Sequence, residues 1–148
     1  MSEFTEKAIR DAFPEAVLET TTDSQGALNV KLDPGSLLGV CEKLHSDAGL
    51  AFDYLEDVTA IDWTDRFEVV YRLRALASNQ KLVLRVDLDH EKPEVNTVTS
   101  VWRGANYQER EVYDLMGVKF AGHPDLRRIL LPEDWEGHPL RKDYVIPD

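Results

Sequence analysis

The sequence predicts an α+β fold, a mostly antiparallel sheet with helices packed on one face, followed by an extended, proline-containing C-terminal tail. Three observations predict it. Apolar residues recur at helical spacing near the N-terminus, around position 40 and again before position 117. Central segments alternate apolar and polar residues with period two, and the polar alternates favour a sheet covered on one face only. After Gly117 neither period returns, and Pro124, Pro132, Pro139 and Pro147 fall within 24 residues. The protein therefore divides into a body over 1–117 and a tail over 118–148.

The first element is "SEFTEKAIRDAFP", an amphipathic helix with Phe4, Ala8, Ile9, Ala12 and Phe13 on its apolar side and Pro14 as its stop. "ALNVKLDP" sets Leu28, Val30 and Leu32 against Asn29 and Lys31, the pattern of a half-buried strand. "DPGSLLGVCEKLHSDAGL" is a second helix, with Leu37, Leu38, Cys41 and Leu44 inward, so Cys41 reads as a small buried hydrophobe. A strand is expected from about Asp57. "DRFEVVYRLRAL" and "NQKLVLRVDLD" both alternate, and Asn79-Gln80 between them marks a hairpin. "PEVNTVTSVW" is expected to add another β-branched strand. In "GANYQEREVYDLMGV" Ala105, Val112, Leu115 and Met116 share one helical stripe, and Gly117 supplies a stop able to take positive φ. Glu109, Arg110, Glu111 and Asp114 are placed mostly off that stripe. Arg110 and Asp114, four apart, are expected to pair on the helix surface for a few tenths of a kcal/mol.

Composition narrows the function. The 148 residues suit one domain and carry a net charge of −11. Residues 1–116 hold 12 Lys/Arg against 22 Asp/Glu, whereas residues 117–148 hold 5 against 6. An acidic body repels phosphate backbones, which argues against nucleic acid as a partner. No stretch reaches the ~20 apolar residues of a membrane span, and "MSEFTEKAIR" lacks a signal-peptide layout, so a cytosolic location is expected. Cys41 is the single cysteine, which leaves no disulfide and no cysteine cage for zinc or an iron–sulfur cluster.

The tail's "GHPDLRRILLPEDWEGHPLRKDY" allows three readings: a catalytic loop, a metal-binding tail, or a strap that lies on another protein. For catalysis, Glu109, Glu111 and Asp114 with His123 could form an acid–base site, but Arg110 among them points to an ion-paired face. For metal, His123 and His138 both stand in Gly-His-Pro, fifteen positions apart, and match no ligand spacing. Phosphate-binding loops and nucleophile elbows are absent. Arginine and tryptophan on a proline-stiffened strap suit a protein interface. Each proline also biases His123, Leu131 and His138 toward extended geometry. The expectation is that the tail finds its complements on a neighbouring polypeptide instead of folding back.

The run "EREVYDLMGVKFAGHPDLRRILLPEDWEGHPLRKDY", Glu109 to Tyr144, strongly resembles the signature of the thirty-kilodalton subunit family of NADH–quinone oxidoreductase, respiratory complex I. The family commonly continues with proline after the tyrosine, where Val145-Ile146-Pro147 stands here. The resemblance implies a non-catalytic structural subunit of the enzyme's hydrophilic arm, docked on the large quinone-site subunit and near iron–sulfur subunits. It implies no cofactor bound by this polypeptide, since flavin and iron–sulfur clusters belong to partner subunits and quinone is the substrate of the complex. Membrane contact would come only through the complex, on the cytoplasmic side. Under this reading Glu109, Arg110, Glu111 and Asp114 anchor the start of the tail. His123, Arg127, Arg128, Trp135, His138 and Arg141 dock it, with Lys142 and Tyr144 completing the partner-binding set.

Overall fold

The computed structural model describes residues 2–145, so Ile146 and Pro147, where the sequence departs from the family pattern, lie outside the described residues. The fold opens with helix α1 (Ser2–Ala12), strands β1 (Val17–Thr22) and β2 (Leu28–Leu32), a 3₁₀ turn at Pro34–Ser36 and helix α2 (Leu37–Ser46). Strands β3 (Tyr54–Asp62), β4 (Arg66–Ala75) and β5 (Gln80–Asp89) follow, then β6 (Glu94–Asn96), helix α3 (Ala105–Met116) and β7 (Lys119–Ala121).

The α+β class is as the sequence predicts. A five-stranded sheet runs in the order β1-β2-β5-β4-β3, antiparallel throughout except where β2 meets β5. That parallel pair follows from the order of elements: α2, β3 and β4 all intervene before β5 returns beside β2. One face of the sheet presents Val30, Phe67, Val69, Tyr71, Leu82 and Leu84 to the helices, and all of these are buried. Burying six such side chains contributes roughly 1.5–3 kcal/mol each relative to exposure. The opposite face carries only a small apolar cluster, Ala27, Val70 and Val83. Around it Glu68 accepts from Trp63 Nε1 at 3.2 Å and pairs with Arg85 at 3.3 Å and Lys31 at 3.5 Å.

The helices pack as amphipathic rods. In α2, Leu37, Val40, Cys41 and Leu44 point inward, and burial pushes the Cys41 thiol pKa up, so it stays protonated. Gly39 lets α2 approach Phe13 closely, because a Cβ there would sit 3.0 Å from the Phe13 ring. In α1 the buried row is Thr5 and Ile9, whereas Phe4 is 58% exposed. The expected inward Phe4 is thus corrected. Rows 4–8–12 and 5–9–13 are neighbours on a helix, and the latter faces the sheet, where Gln80 Nε2 donates to Thr5 Oγ1.

One strand was not expected, and one expected strand is shorter. β1 has no counterpart in the apolar pattern; it is an edge strand whose residues are exposed or half-buried, so Thr20–Thr22 give no alternation. The strand expected over "PEVNTVTSVW" stops at Asn96, because the next segment turns to meet α3. There Val98 N–H donates to the Glu109 carboxyl at 2.9 Å, and Val101 and Trp102 both donate to Val98 O. β6 pairs in parallel with β7 across α3, forming a second, two-stranded sheet. α3 itself packs against β3 and shares the main core through Ala105, Val112 and Met116.

Candidate functional site

Every α-helix ends with four carbonyls that have no partner inside it. In α3 all four are answered from the following segment. Tyr113 O accepts from Gly117 N–H at 2.8 Å, with Gly117 in the left-handed region at φ +78°. Asp114 O accepts from His138 Nδ1 at 2.9 Å, Leu115 O from Leu140 N–H at 2.9 Å, and Met116 O from Arg141 Nε at 2.6 Å. The "GHPLR" text is therefore a helix cap delivered from some 24 residues downstream. A cation at this end also meets the negative pole of the helix dipole. Arg128 Nη2 lies 3.4 Å from the same His138 nitrogen. The carbonyl at 2.9 Å requires a donor, so Nδ1 bears the proton and the Arg128 approach is a contact between two donors. Burial holds His138 below the usual histidine pKa, and the charges of Arg128 and Arg141 act the same way.

The second hold is the Asp114 carboxylate. Its Oδ2 accepts three successive backbone N–H groups, from Ile129 at 3.1 Å, Leu130 at 2.7 Å and Leu131 at 3.0 Å. Successive N–H groups turned to one anion form a nest, a geometry that binds negative charge well. Arg128 Nη1 lies 3.2 Å from the other oxygen, an electrostatic contact without hydrogen-bond alignment. Arg128 Nη2 donates to Gly137 O at 2.6 Å, which closes the intervening turn. Asp114 is wholly buried.

A third hold fastens the end. The Arg141 guanidinium stands 5.0 Å over the Phe67 ring, and the His90 ring stacks on Phe67 at 4.5 Å. His90 Nε2 donates to Asp62 Oδ1 at 3.0 Å, and Lys142 N–H donates to Asp62 Oδ2 at 2.9 Å. Burial works to raise the Asp62 pKa, but the N–H groups of Lys142 and Thr64 and the His90 ring outweigh it, so it lies below the usual carboxylate value.

The expectation of a tail that does not fold back is thereby corrected. Residues 125–142 form a strap lying on their own body, because the ends of α3 and β3 present polar groups that the strap satisfies. The strap holds no helix and no long strand. Among the acidic residues of α3, Asp114 does anchor it, and Arg110 Nε donates to Arg127 O at 3.2 Å. The surface pair Arg110–Asp114 does not form, since Asp114 turns inward to Arg128. Glu109 is fully buried and holds Thr97 and Val98 instead of the tail. The spacing 105–109–112–116 places it on the apolar stripe itself. Glu111 is half-buried.

His123 accepts from Asp125 N–H at Nδ1 and donates from Nε2 to Asn106 O, so both ring nitrogens are committed. Arg127 pairs with Asp125 at 2.6 Å. The Tyr144 ring lies over Gly137, and the Lys142 side chain and Trp135 are exposed. Of the four acid–base candidates, Glu109, Asp114 and His123 are each committed to different partners. Among the described residues no group of three or more His, Cys, Asp or Glu is placed to hold a metal. Nor is any helix among them long and apolar enough to cross a membrane. Asp62, His90 and Thr97 were missed by sequence reasoning, and no local signal marks them.

Gly117 is the tightest point of this arrangement. A Cβ there would lie 2.7 Å from His138 Cδ2 and 2.8 Å from an Arg141 guanidinium nitrogen, on a backbone at φ +78°. Gly117→Ala is expected to cost about 1–3 kcal/mol in urea unfolding and to deprotect the Leu140 amide in hydrogen exchange. Unchanged protection at Leu140 would show that the cap tolerates the added carbon.

Known proteins share both the sequence and the fold. Residues 30–148 match the family described as respiratory-chain NADH dehydrogenase, 30 Kd subunit. The C subunit of NADH-quinone oxidoreductase from Roseiflexus sp. (strain RS-1) is 44% identical over 141 residues, covering 93% of this sequence and 80% of that protein. Its namesake from Moorella thermoacetica is 45% identical over 134 residues, 89% of this sequence and 87% of its own. Among solved structures, a trypsin-resistant fragment of Nqo5 superposes with a TM-score of 0.68 at 31% identity, covering 84% of this sequence and 98% of the fragment. A polypeptide of the archaeal membrane-bound sulfane sulfur reductase shares the fold, with a TM-score of 0.74 at 23% identity over 98% of this sequence and 86% of its own.

Proposed function

The protein belongs to the 30 kDa subunit family of respiratory-chain NADH dehydrogenase, and from that membership we propose that it is a non-catalytic subunit of a complex I-type NADH–quinone oxidoreductase. It docks on the large quinone-site subunit, beside the iron–sulfur subunits, and supports electron transfer from NADH to quinone coupled to ion translocation. Flavin and iron–sulfur clusters stay with those partners. Contact with the cytoplasmic side of the membrane is peripheral and made through them.

The observation that carries this reading is the strap of residues 125–142. It is fastened at three points to its own body yet turns Leu130, Trp135 and Leu140 outward, between 40% and 60% exposed. A segment held this firmly is a preformed surface, and preformed surfaces lose little conformational entropy on docking. Within the partner-binding tail of 118–148, the groups that hold and the groups that dock are separate. Arg128, His138 and Arg141 position the strap; Trp135, Lys142 and the exposed leucines face a neighbour.

Chemical cross-linking of the complex purified from its own membranes tests this directly. Lys142 and Lys119, both exposed, are expected to give cross-links to another subunit, with Lys142 joined to the large one. Cross-links confined to this polypeptide would overturn the docking reading.

A further inference from the structure

The strap ends its outward course in a tip, "PEDWE", that the holding contacts leave unused. Trp135 is 40% exposed there, in a turn closed by its own N–H on Pro132 O at 3.0 Å. Glu133, Asp134 and Glu136 flank it, all exposed, and no ion pair joins any of them to another described residue. The arginines of the strap are already committed: Arg127 to Asp125, Arg128 to Asp114 and Gly137 O, and Arg141 to Met116 O. Glu133 acts on Arg127 only through space, behind the direct bond from Asp125. The tip is thus an indole flanked along the sequence by three carboxylates that form no ion pair among the described residues, on a loop whose base is fixed by Arg128 and the Asp114 nest.

Building on the docking reading above, we propose that this tip is the specificity element of the interface. Trp135 inserts into an apolar pocket on a partner polypeptide, and Lys or Arg side chains on the rim of that pocket receive Glu133, Asp134 and Glu136. Charge decides the class of occupant. An anionic membrane surface or a phosphate backbone would repel the three carboxylates. A second copy of this protein is also a poor fit, because residues 1–116 carry 22 acidic against 12 basic residues. A basic-rimmed protein pocket gains the indole's burial, typical of interface hot spots, together with electrostatic steering of the encounter.

Two roles that the sequence merges are separate in space. The arginines of the strap act within the subunit, and the acidic tip acts between subunits. Salt sensitivity of assembly should therefore come from Glu133, Asp134 and Glu136.

The test uses full-length variants assembled in the host and recovered with the complex at low and high salt. Trp135→Ala is expected to lower retention of the subunit at least roughly tenfold, with Trp135→Phe recovering most of it. The triple variant Glu133→Gln, Asp134→Asn, Glu136→Gln is expected to bind more weakly at low salt and to lose its dependence on salt. Amide protection at Ile129, Leu130 and Leu131 should match the parent in all three, since the substituted side chains are exposed. Parent-like retention of Trp135→Ala, or an unaltered salt dependence in the triple variant, would overturn the proposal. If either occurs while Lys142 still cross-links to another subunit, only the tip assignment falls. Loss of that cross-link in the parent complex would instead remove the docking reading beneath it. A benzophenone side chain placed by Trp135→p-benzoylphenylalanine supplies the chemical arm. An adduct on a peptide bearing lysine or arginine supports the proposal, and an adduct on lipid contradicts it.

Discussion

Asp114→Ala is expected to unfasten the strap and to cost the protein about 3–5 kcal/mol, the range for removing one member of a buried ion pair. Three backbone N–H groups and a guanidinium converge on this carboxylate. Alanine leaves the N–H groups of Ile129, Leu130 and Leu131 without their acceptor. It also leaves Arg128, whose side chain is 9% exposed, without its counter-charge. Hydrogen exchange at those three amides reads the local effect, and urea unfolding reads the total. Asp114→Asn keeps one acceptor oxygen and should fall between the parent and alanine. Because Asp114 is buried, weakened assembly of the alanine variant would arise from a displaced strap. Protection factors at residues 129–131 that match the parent would refute this account of the clamp.

The second large effect concerns Glu109. Burial pushes its pKa from 4.5 up to about 7, against hydrogen bonds from Thr97 and Val98 that act to lower it. The local geometry accommodates the protonated acid. Thr97 Oγ1 lies 2.5 Å from Glu109 Oε1 and 3.0 Å from Thr99 Oγ1, and a hydroxyl has one proton to give. With the acid ionised, Thr97 donates to Glu109 and the Thr99 hydroxyl can donate to Thr97; with it protonated, Glu109 can donate to Thr97 and Thr97 to Thr99. The raised pKa means that the folded state binds this proton more tightly than the unfolded polypeptide does. The contribution is fully present below pH 4.5, is lost as pH rises toward 7, and amounts to on the order of 3 kcal/mol.

His138 works with the opposite sign. Its pKa is lowered from 6.5, so its contribution is present above that value and lost as the pH falls. The wild-type curve mixes the two, and the difference from Glu109→Gln isolates one. Glutamine keeps an acceptor for Val98 N–H and places a donor toward Thr97. The variant is expected to gain on the parent as pH rises from about 5 to about 8, by roughly the energy of that proton. A flat difference curve across this window would contradict a Glu109 whose folded-state proton is held up to about pH 7.

Much of this was legible along the sequence, for reasons that differ by element. β4 and β5 declared themselves through alternation broken only at Val70 and Val83, because one face of each packs on helices and the other carries salt bridges around a small apolar cluster. The end of α3 was readable in Gly117, since few residues other than glycine accept a φ of +78° there. β1 was not, because an edge strand with little burial needs no apolar rhythm. Glu109 was within reach of the 3.6-residue period, yet its carboxyl concealed a core position. The proline bias toward extended backbone in the tail was equally readable, but its destination was not.

From the sequence alone came the layer architecture and the family. Those properties depend on neighbours three, four or two positions apart, or on a motif read in order. The tertiary structure alone decided which of the tail's residues face inward. That choice rests on carbonyls at the end of a helix and on carboxylates up to 80 residues away. Backbone carbonyls are the same whatever side group they carry, so no letter in the sequence announces that they need partners. Only when α3 and β3 come together does the strap have something to hold.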